Sequence, residues 1–316
     1  MPKIAIVQTS PVFMQKHATI ELAVNKVEEA AAQGAELVIF SEAFIAGYPT
    51  WVWRLRPGSD WNTSEALHKR LLDNAVVMDS TDLDPLYAAA KKHQLSIVCG
   101  IEERDSQFSQ ATIFNTVITI GADGHLINKH RKLMPTNPER MVWGFGDASG
   151  LKVVDTNVGR VGALLCWENY MPLARYALYS QGIEIYIAPT YDSGEGWLGT
   201  LQHITREGCC WVLGCGNLMQ ASDIPDDLEE KSTLYPDNNE WVNPGDSVVI
   251  APGGEIVAGP FNQQRGIFYY TIDLEKVRIA KRALDVAGHY ARADIFQLQV
   301  NTQVQSPCVF SASPKK

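Results

Sequence analysis

Short apolar runs of strand length recur along this chain. The stretches between them place apolar residues every three or four positions. The runs are KIAIVQT at 3–9, ELVIFSE at 36–42, LSIVCGIEE at 95–103 and FNTVITI at 114–120. They continue with RVGALLCWE at 160–168, IEIYIAPT at 183–190, CWVLGCGN at 210–217, DSVVIAP at 246–252 and GIFYYTID at 266–273. Their Val, Ile and aromatic content suits buried strands. Three intervening stretches read as helices. ATIELAVNKVEEAAAQG carries Ile20, Val24, Val27 and Ala31 on one face and stops at Gly34. DLDPLYAAAKKHQ opens with Asp and Pro, and MPLARYALYSQG runs from Pro172 to Gly182. The pattern predicts an α/β protein, sheets covered by helices in one domain.

Composition narrows the partners. The chain has 316 residues, is 46% hydrophobic and carries a net charge of −9. An acidic surface repels phosphate backbones, which argues against nucleic acid. No apolar run reaches membrane-span length, and MPKIAIVQTSP lacks the charged and apolar regions of a signal peptide, so a soluble cytoplasmic protein is expected. The six cysteines, at 99, 166, 209, 210, 215 and 308, form no CxxC pair. His203 and Glu207 stand near Cys209 and Cys210, but HITREGCC is not HExxH, and no metal is expected.

Several predicted strands run into polar or reactive residues: Ser41 and Glu42, Cys99 and Glu102, Cys166 with Trp167 and Glu168, Thr190, and Cys215 with Asn217. Sites in α/β sheets gather beyond strand carboxyl ends. Each residue alone is also compatible with a polar loop start. Cys166, between an apolar run and Pro172, is a candidate nucleophile, with a thiol pKa lowered by a nearby helix N-terminus. A buried inert thiol is the alternative, and Cys99 and Cys215 share the setting. Glu42 is a candidate general base, its pKa raised by desolvation, or a loop acid. Lys132, in NKHRKLMPTNPER, either belongs to a solvated basic loop or turns its ammonium inward toward developing negative charge. Tyr48, Trp51, Trp53, Trp143, Trp167 and Trp197 are candidates for an apolar pocket wall, each singly compatible with core packing. His289 and Tyr290 read as structural.

These segments resemble the nitrilase branch of the carbon–nitrogen hydrolase superfamily. The family carries a Glu, a Lys and a Cys on three separate segments. SEAFIAGYP, HRKLMPTNPERMVWGFGD and LLCWENYMPLARYALYSQGIEIYIAPT match them in that order. The resemblance implies Glu42 as base, Lys132 as cation and Cys166 as nucleophile, with Glu139 as a second glutamate that positions substrate and water. Among the pocket and strand-end candidates, Tyr48, Trp53, Trp167 and Thr190 are the expected substrate contacts. Cys-Trp-Glu is typical of nitrilases, and GHYARADIF resembles the family's GHYxRPD segment, with Ala293 where Pro is usual.

The resemblance spans about residues 3 to 300. It implies an αββα sandwich over 1–300 followed by a tail at 301–316. The implied activity is hydrolysis of a nitrile to acid and ammonia, without cofactor, in a homodimer or larger homo-oligomer, which in this family extends to spiral filaments. Amide or ureido hydrolysis and cyanide hydration are alternatives on the same scaffold. A non-catalytic assembly protein is the alternative of another class.

Overall fold

The computed structural model describes residues 1–56 and 58–309, so residues 310–316 of the expected tail lie outside the described residues. Six strands occupy the first half: β1 (Lys3–Gln8), β2 (Leu37–Ile39), β3 (Val76–Val77), β4 (Ser96–Arg104), β5 (Ile113–Ile120) and β6 (Leu126–Arg131). Eight follow: β7 (Val154–Thr156), β8 (Gly159–Ala163), β9 (Ile185–Thr190), β10 (Trp211–Gly216), β11 (Leu218–Gln220), β12 (Trp241–Ile250), β13 (Ile256–Asn262) and β14 (Gly266–Thr271). The helices are α1 (Lys16–Ala32), α2 (Trp61–Asn74), α3 (Asp84–His93), α4 (Pro172–Tyr179), α5 (Glu195–Gly208), α6 (Lys231–Leu234) and α7 (Glu275–Lys281).

The strands form two sheets of one plan. In the first, ordered β14-β1-β2-β4-β5-β6, strands β1, β2 and β4 are mutually parallel, and antiparallel strands flank them. In the second, ordered β11-β12-β10-β9-β8-β7, the parallel centre is β8, β9 and β10. The period-2 alternation of side chains sorts residues between layers. Ile4, Ile6, Leu37 and Ile39 face Val161, Ile185, Ile187 and Leu213 between the sheets. Ala5, Val7 and Val38 point the other way, against Ile20, Ala23 and Val27 of α1 and Leu86 and Ala90 of α3. Tyr186, Ala188 and Val212 likewise pack under Ala174, Leu178, Trp197 and Leu201 of α4 and α5. Because the central strands are covered on both faces, they read as near-continuous apolar runs. The result is the expected αββα sandwich.

The apolar pattern of the chain does not mark α2 or α5. Helix α2 buries only Leu67 and Leu71, so its apolar stripe is thin. Gly196 and Gly199 interrupt the helical pattern of α5, which Trp197, Leu201 and Ile204 hold down through burial. One glycine sets how closely the chain beyond β2 lies against its neighbour β4 in the first sheet. A Cβ on Gly100 of β4 would lie 2.3 Å from the Ser41 carbonyl oxygen and 2.5 Å from the Ala43 nitrogen. Only a bare backbone lets the segment carrying Glu42 lie directly on β4.

Residues 301–309 are exposed and form no regular element, touching the body through the Gln305 amide, 2.9 Å from Asp147 Oδ2.

Candidate active site

The parallel centres of both sheets end on one edge of the molecule, where their loops converge. Glu42 follows β2, Lys132 follows β6, and Cys166 follows β8. Glu139 sits in a short 3-10 turn, Asn137–Met141. All four side chains are buried. Lys132 turns inward because β6 alternates: Lys129 and Arg131 bind Glu103 on the outer side, at 2.6 Å and 2.7 Å, while His130 and Lys132 are buried. The Lys132 backbone is held at both ends, its N–H donating to Asn115 O at 2.7 Å and its carbonyl accepting from Gly146 at 2.8 Å.

Lys132 Nζ donates to Glu42 Oε1 at 2.8 Å and to Glu139 Oε2 at 2.7 Å. Glu42 also accepts from Asn115 Nδ2 and from the Tyr191 amide, each at 2.7 Å. Glu139 accepts from Tyr48 Oη and the Thr136 amide, each at 2.6 Å, and Trp53 Nε1 donates to Tyr48 Oη at 3.0 Å. Cys166 has a φ of +47°, an uncommon left-handed conformation for a residue with a Cβ. Its carbonyl accepts from Asn169 Nδ2 at 2.7 Å, and the Thr190 hydroxyl lies beside its sulfur.

The electrostatics follow from burial. Desolvation raises the Glu42 pKa above the carboxylate range, with Glu139 adding and Lys132 opposing. Burial also disfavours the Lys132 charge, but Glu42, Cys166 and Glu139 outweigh it and push its pKa up. The Cys166 thiol is pushed up by burial first and Glu42 second, while Lys132 opposes. The expected lowering by a helix N-terminus is therefore overturned. Cys166 opens a 3-10 turn, Cys166–Tyr170, rather than α4, and its desolvated sulfur faces two carboxylates.

One donor atom from each of Glu42, Glu139 and Cys166 lies within 4.8 Å of the others, close enough to consider a metal. The Lys132 ammonium already bridges the two carboxylates, so the arrangement supplies its own cation. The four groups are suited to moving a proton from sulfur to carboxylate beside a fixed positive charge.

A cavity of about 270 Å³ opens onto this group, lined by Tyr48, Trp53, Thr136, Glu139, Cys166, Trp167, Tyr191, Asp192, Ser193 and Val242–Pro244. Tyr48 and Tyr191 stack at 3.9 Å between ring centroids. Trp53 and Trp167 are part-exposed at the mouth, and Trp167 Nε1 donates to Asp192 Oδ2 at 2.8 Å.

Three of the candidate wall tryptophans lie outside the cavity lining. Trp51 packs in the core with Phe13, and Trp197 points from α5 into the core against the second sheet, so neither lines the cavity. Trp143 lies behind it, its ring 5.5 Å from Lys132 Nζ and its Nε1 donating to Glu102 Oε2 at 2.6 Å. Cys99 and Glu102 lie within β4 rather than at its end, while Cys215 is the next-to-last residue of β10. Both thiols are fully buried core groups, with Cys215 Sγ pointing at the Val7 and Ile39 carbonyls. Sequence reasoning missed Asn115, Tyr191 and Asp192. Asn115 alone carried a signal, as a polar side chain within an apolar strand run.

An acid–ammonium–acid array beside a buried sulfur, on the facing edges of an αββα sandwich, defines a class of thiol-bearing hydrolase scaffold. The chain matches the carbon–nitrogen hydrolase family over residues 3–282 and belongs to it. It is 38% identical to an aliphatic nitrilase from Sinorhizobium fredii (strain HH103), with 98% of each chain covered. It is also 38% identical to the bifunctional nitrilase/nitrile hydratase NIT4B of Nicotiana tabacum, covering 98% of this chain and 89% of that one. The crystal structure of a carbon–nitrogen hydrolase from Helicobacter pylori G27 superposes with a TM-score of 0.69 over 93% of this chain and 96% of that one, at 19% identity. At that identity it bears on the fold alone.

Proposed function

We propose that this chain is a nitrilase that hydrolyses a nitrile to the carboxylic acid and ammonia through Cys166. The observation that carries the reading is the Lys132 ammonium held between Glu42 and Glu139 at the floor of an aromatic-walled cavity that reaches Cys166. The names of the relatives, nitrilases 38% identical over nearly the whole chain, support nitriles as substrate.

Glu42 takes the thiol proton as sulfur attacks the nitrile carbon and passes it to the nitrile nitrogen, giving a thioimidate and leaving the carboxylate ionised again. Burial raises the Glu42 pKa as well as that of the Cys166 thiol, which makes the carboxylate a stronger proton acceptor for this step. Water activated by Glu42 adds to the thioimidate carbon. Lys132 and the Trp167 backbone N–H stabilise charge on the tetrahedral intermediate. Ammonia leaves, a thioester remains, and a second water releases the acid and restores the thiol. Two waters are consumed for each nitrile. Glu139 holds Lys132 and positions substrate and water; Tyr48, Trp53, Trp167 and Thr190 form the substrate's surroundings.

If sulfur leaves before ammonia, the product is the amide. The name of the tobacco relative, a nitrilase and nitrile hydratase, favours keeping this branch open. A panel of nitriles scored for acid, amide and ammonia, alongside the matching amides, tests the reading. Turnover of amides without nitriles would replace it with an amidase, and no turnover of either would favour the non-catalytic alternative.

The same reading extends to assembly and place. Tyr290, Ile295, Phe296 and Val304 are exposed apolar residues near the C-terminal end of the described chain, which supports a homo-oligomer, in the limit a spiral filament, that covers them. Sedimentation velocity tests it. No helix among the described residues is long and apolar enough to cross a membrane, which fits the proposed cytoplasmic location. The catalytic unit is proposed to be residues 1–300, with 301–316 as a tail.

A further inference from the structure

One carboxylate outside the four groups above touches the backbone beside two of them. Glu168 Oε1 accepts from the Leu133 amide, and Oε2 accepts from the Leu165 amide, each at 2.7 Å. Leu133 directly follows Lys132, on the loop leaving the first sheet. Leu165 directly precedes Cys166, on the loop leaving the second. His130 Nε2 faces both oxygens, at 3.1 Å and 3.2 Å. Both side chains are buried, at 1% or less exposure.

We propose that Glu168, braced by His130, is a positioning residue that sets where Lys132 stands relative to Cys166 by gripping the backbone that carries each. The proposal rests on the reading of those two residues as reacting groups. The rigid plane of a carboxylate fixes the spacing of its two acceptors, so two loops from different sheets are referenced to one group. His130 donates across the fork and opposes its rotation. Burial alone would raise the Glu168 pKa, but His130 and the two backbone N–H groups reverse this and hold it below the ordinary range, so the carboxylate stays ionised and grips strongly. The neighbouring residue fixes the same turn from the other side. Asn169 Nδ2 donates to the carbonyls of Leu164 and Cys166, and Tyr186 Oη of β9 donates to Asn169 Oδ1 at 2.6 Å. The sulfur's loop is therefore anchored to its own sheet by Asn169 and to the lysine's loop by Glu168.

Glu168→Gln keeps shape but presents an amide NH2 to one backbone N–H, breaking one of the two grips. His130→Gln keeps both grips and trades the rigid ring of the brace for a flexible amide donor. A displacement of the order of an ångström between reacting groups costs about 100-fold in rate. In E168Q, kcat should fall about 100-fold with KM nearly unchanged, and in H130Q by a smaller factor, about tenfold. Labelling of Cys166 by iodoacetamide, followed by mass spectrometry, should slow in the same order as Lys132 moves away from the sulfur. Cys99, Cys210 and Cys215 should stay protected in both variants.

Wild-type kcat and wild-type Cys166 labelling in a folded E168Q or H130Q would overturn the proposal. So would general exposure of the buried cysteines with KM rising in step, which marks a merely structural role. If E168Q does not fold, H130Q decides by the same readouts. The labelling arm needs no substrate, so it tests the clasp even if the wild-type protein hydrolyses no nitrile.

Discussion

Lys132 Nζ lies 2.8 Å from Glu42 Oε1, and neither side chain is exposed to solvent. With Glu139 on the other side of the ammonium, one positive charge serves two buried carboxylates. Such a group is stable only while complete, because removing one member strands the rest without water or counter-charge.

Lys132→Gln is therefore expected to lose both stability and rate. Breaking a buried ion pair costs about 3–5 kcal/mol. Loss of a donor to developing negative charge costs about 100- to 1,000-fold in kcat. Urea denaturation and steady-state kinetics measure the two separately. A variant with wild-type kcat would remove Lys132 from the reaction.

Cys166→Ala should abolish turnover while leaving the fold intact, since the sulfur contributes little packing area beside an open cavity. Circular dichroism and ammonia release check this. Residual turnover near wild type would move the nucleophile elsewhere, although Cys99 and Cys215 are poorly placed to replace it.

The acid limb of kcat/KM should track Glu42. The base must be ionised to accept the thiol proton, and burial raises its pKa, so activity should fall with decreasing pH at a point above the ordinary carboxylate range. Asn115 donates to Glu42 and lowers this value. Asn115→Leu should then move the acid limb to higher pH. An unmoved limb would show that another group controls it.

Glu102 offers a stability test of opposite sign to that of most carboxylates. It is fully buried, Trp143 is its sole hydrogen-bond donor among the described residues, and burial raises its pKa well above the usual range. Its protonated form is favoured by folding, so its contribution is complete at low pH and is lost as pH rises through the folded-state value. Glu102→Gln, a neutral isostere, should match the wild type in acid and become more stable than it as pH rises. Thermal melts across that range would refute the assignment if the two curves stayed parallel.

Tyr48→Phe should leave Glu139 Oε1 and Trp53 Nε1 without their shared partner. A hydrogen bond to a charged group contributes about 1.5–3 kcal/mol, so kcat/KM should fall by at least about tenfold. An unchanged value would mean that Glu139 is oriented by Lys132 and Thr136 alone.

The apolar runs at 3–9, 36–42, 183–190 and 210–217 determined the parallel sheet centres, because a strand covered on both faces needs apolar residues at every position. The same logic exposed the loops beyond their ends, and with the family resemblance it marked Glu42, Lys132 and Cys166. Local sequence could not decide which way a side chain turns. Lys129, Arg131 and Lys132 are equally basic in the chain, and only strand alternation against Glu103 sends the first two outward and the third inward. Nor could it tell that Cys166 is a raised-pKa thiol, since that depends first on burial and then on carboxylates 124 and 27 positions away in the numbering. Charge, burial and the Glu168 grip arise between segments, and their strength is set by distance in space, which the linear order of residues does not contain.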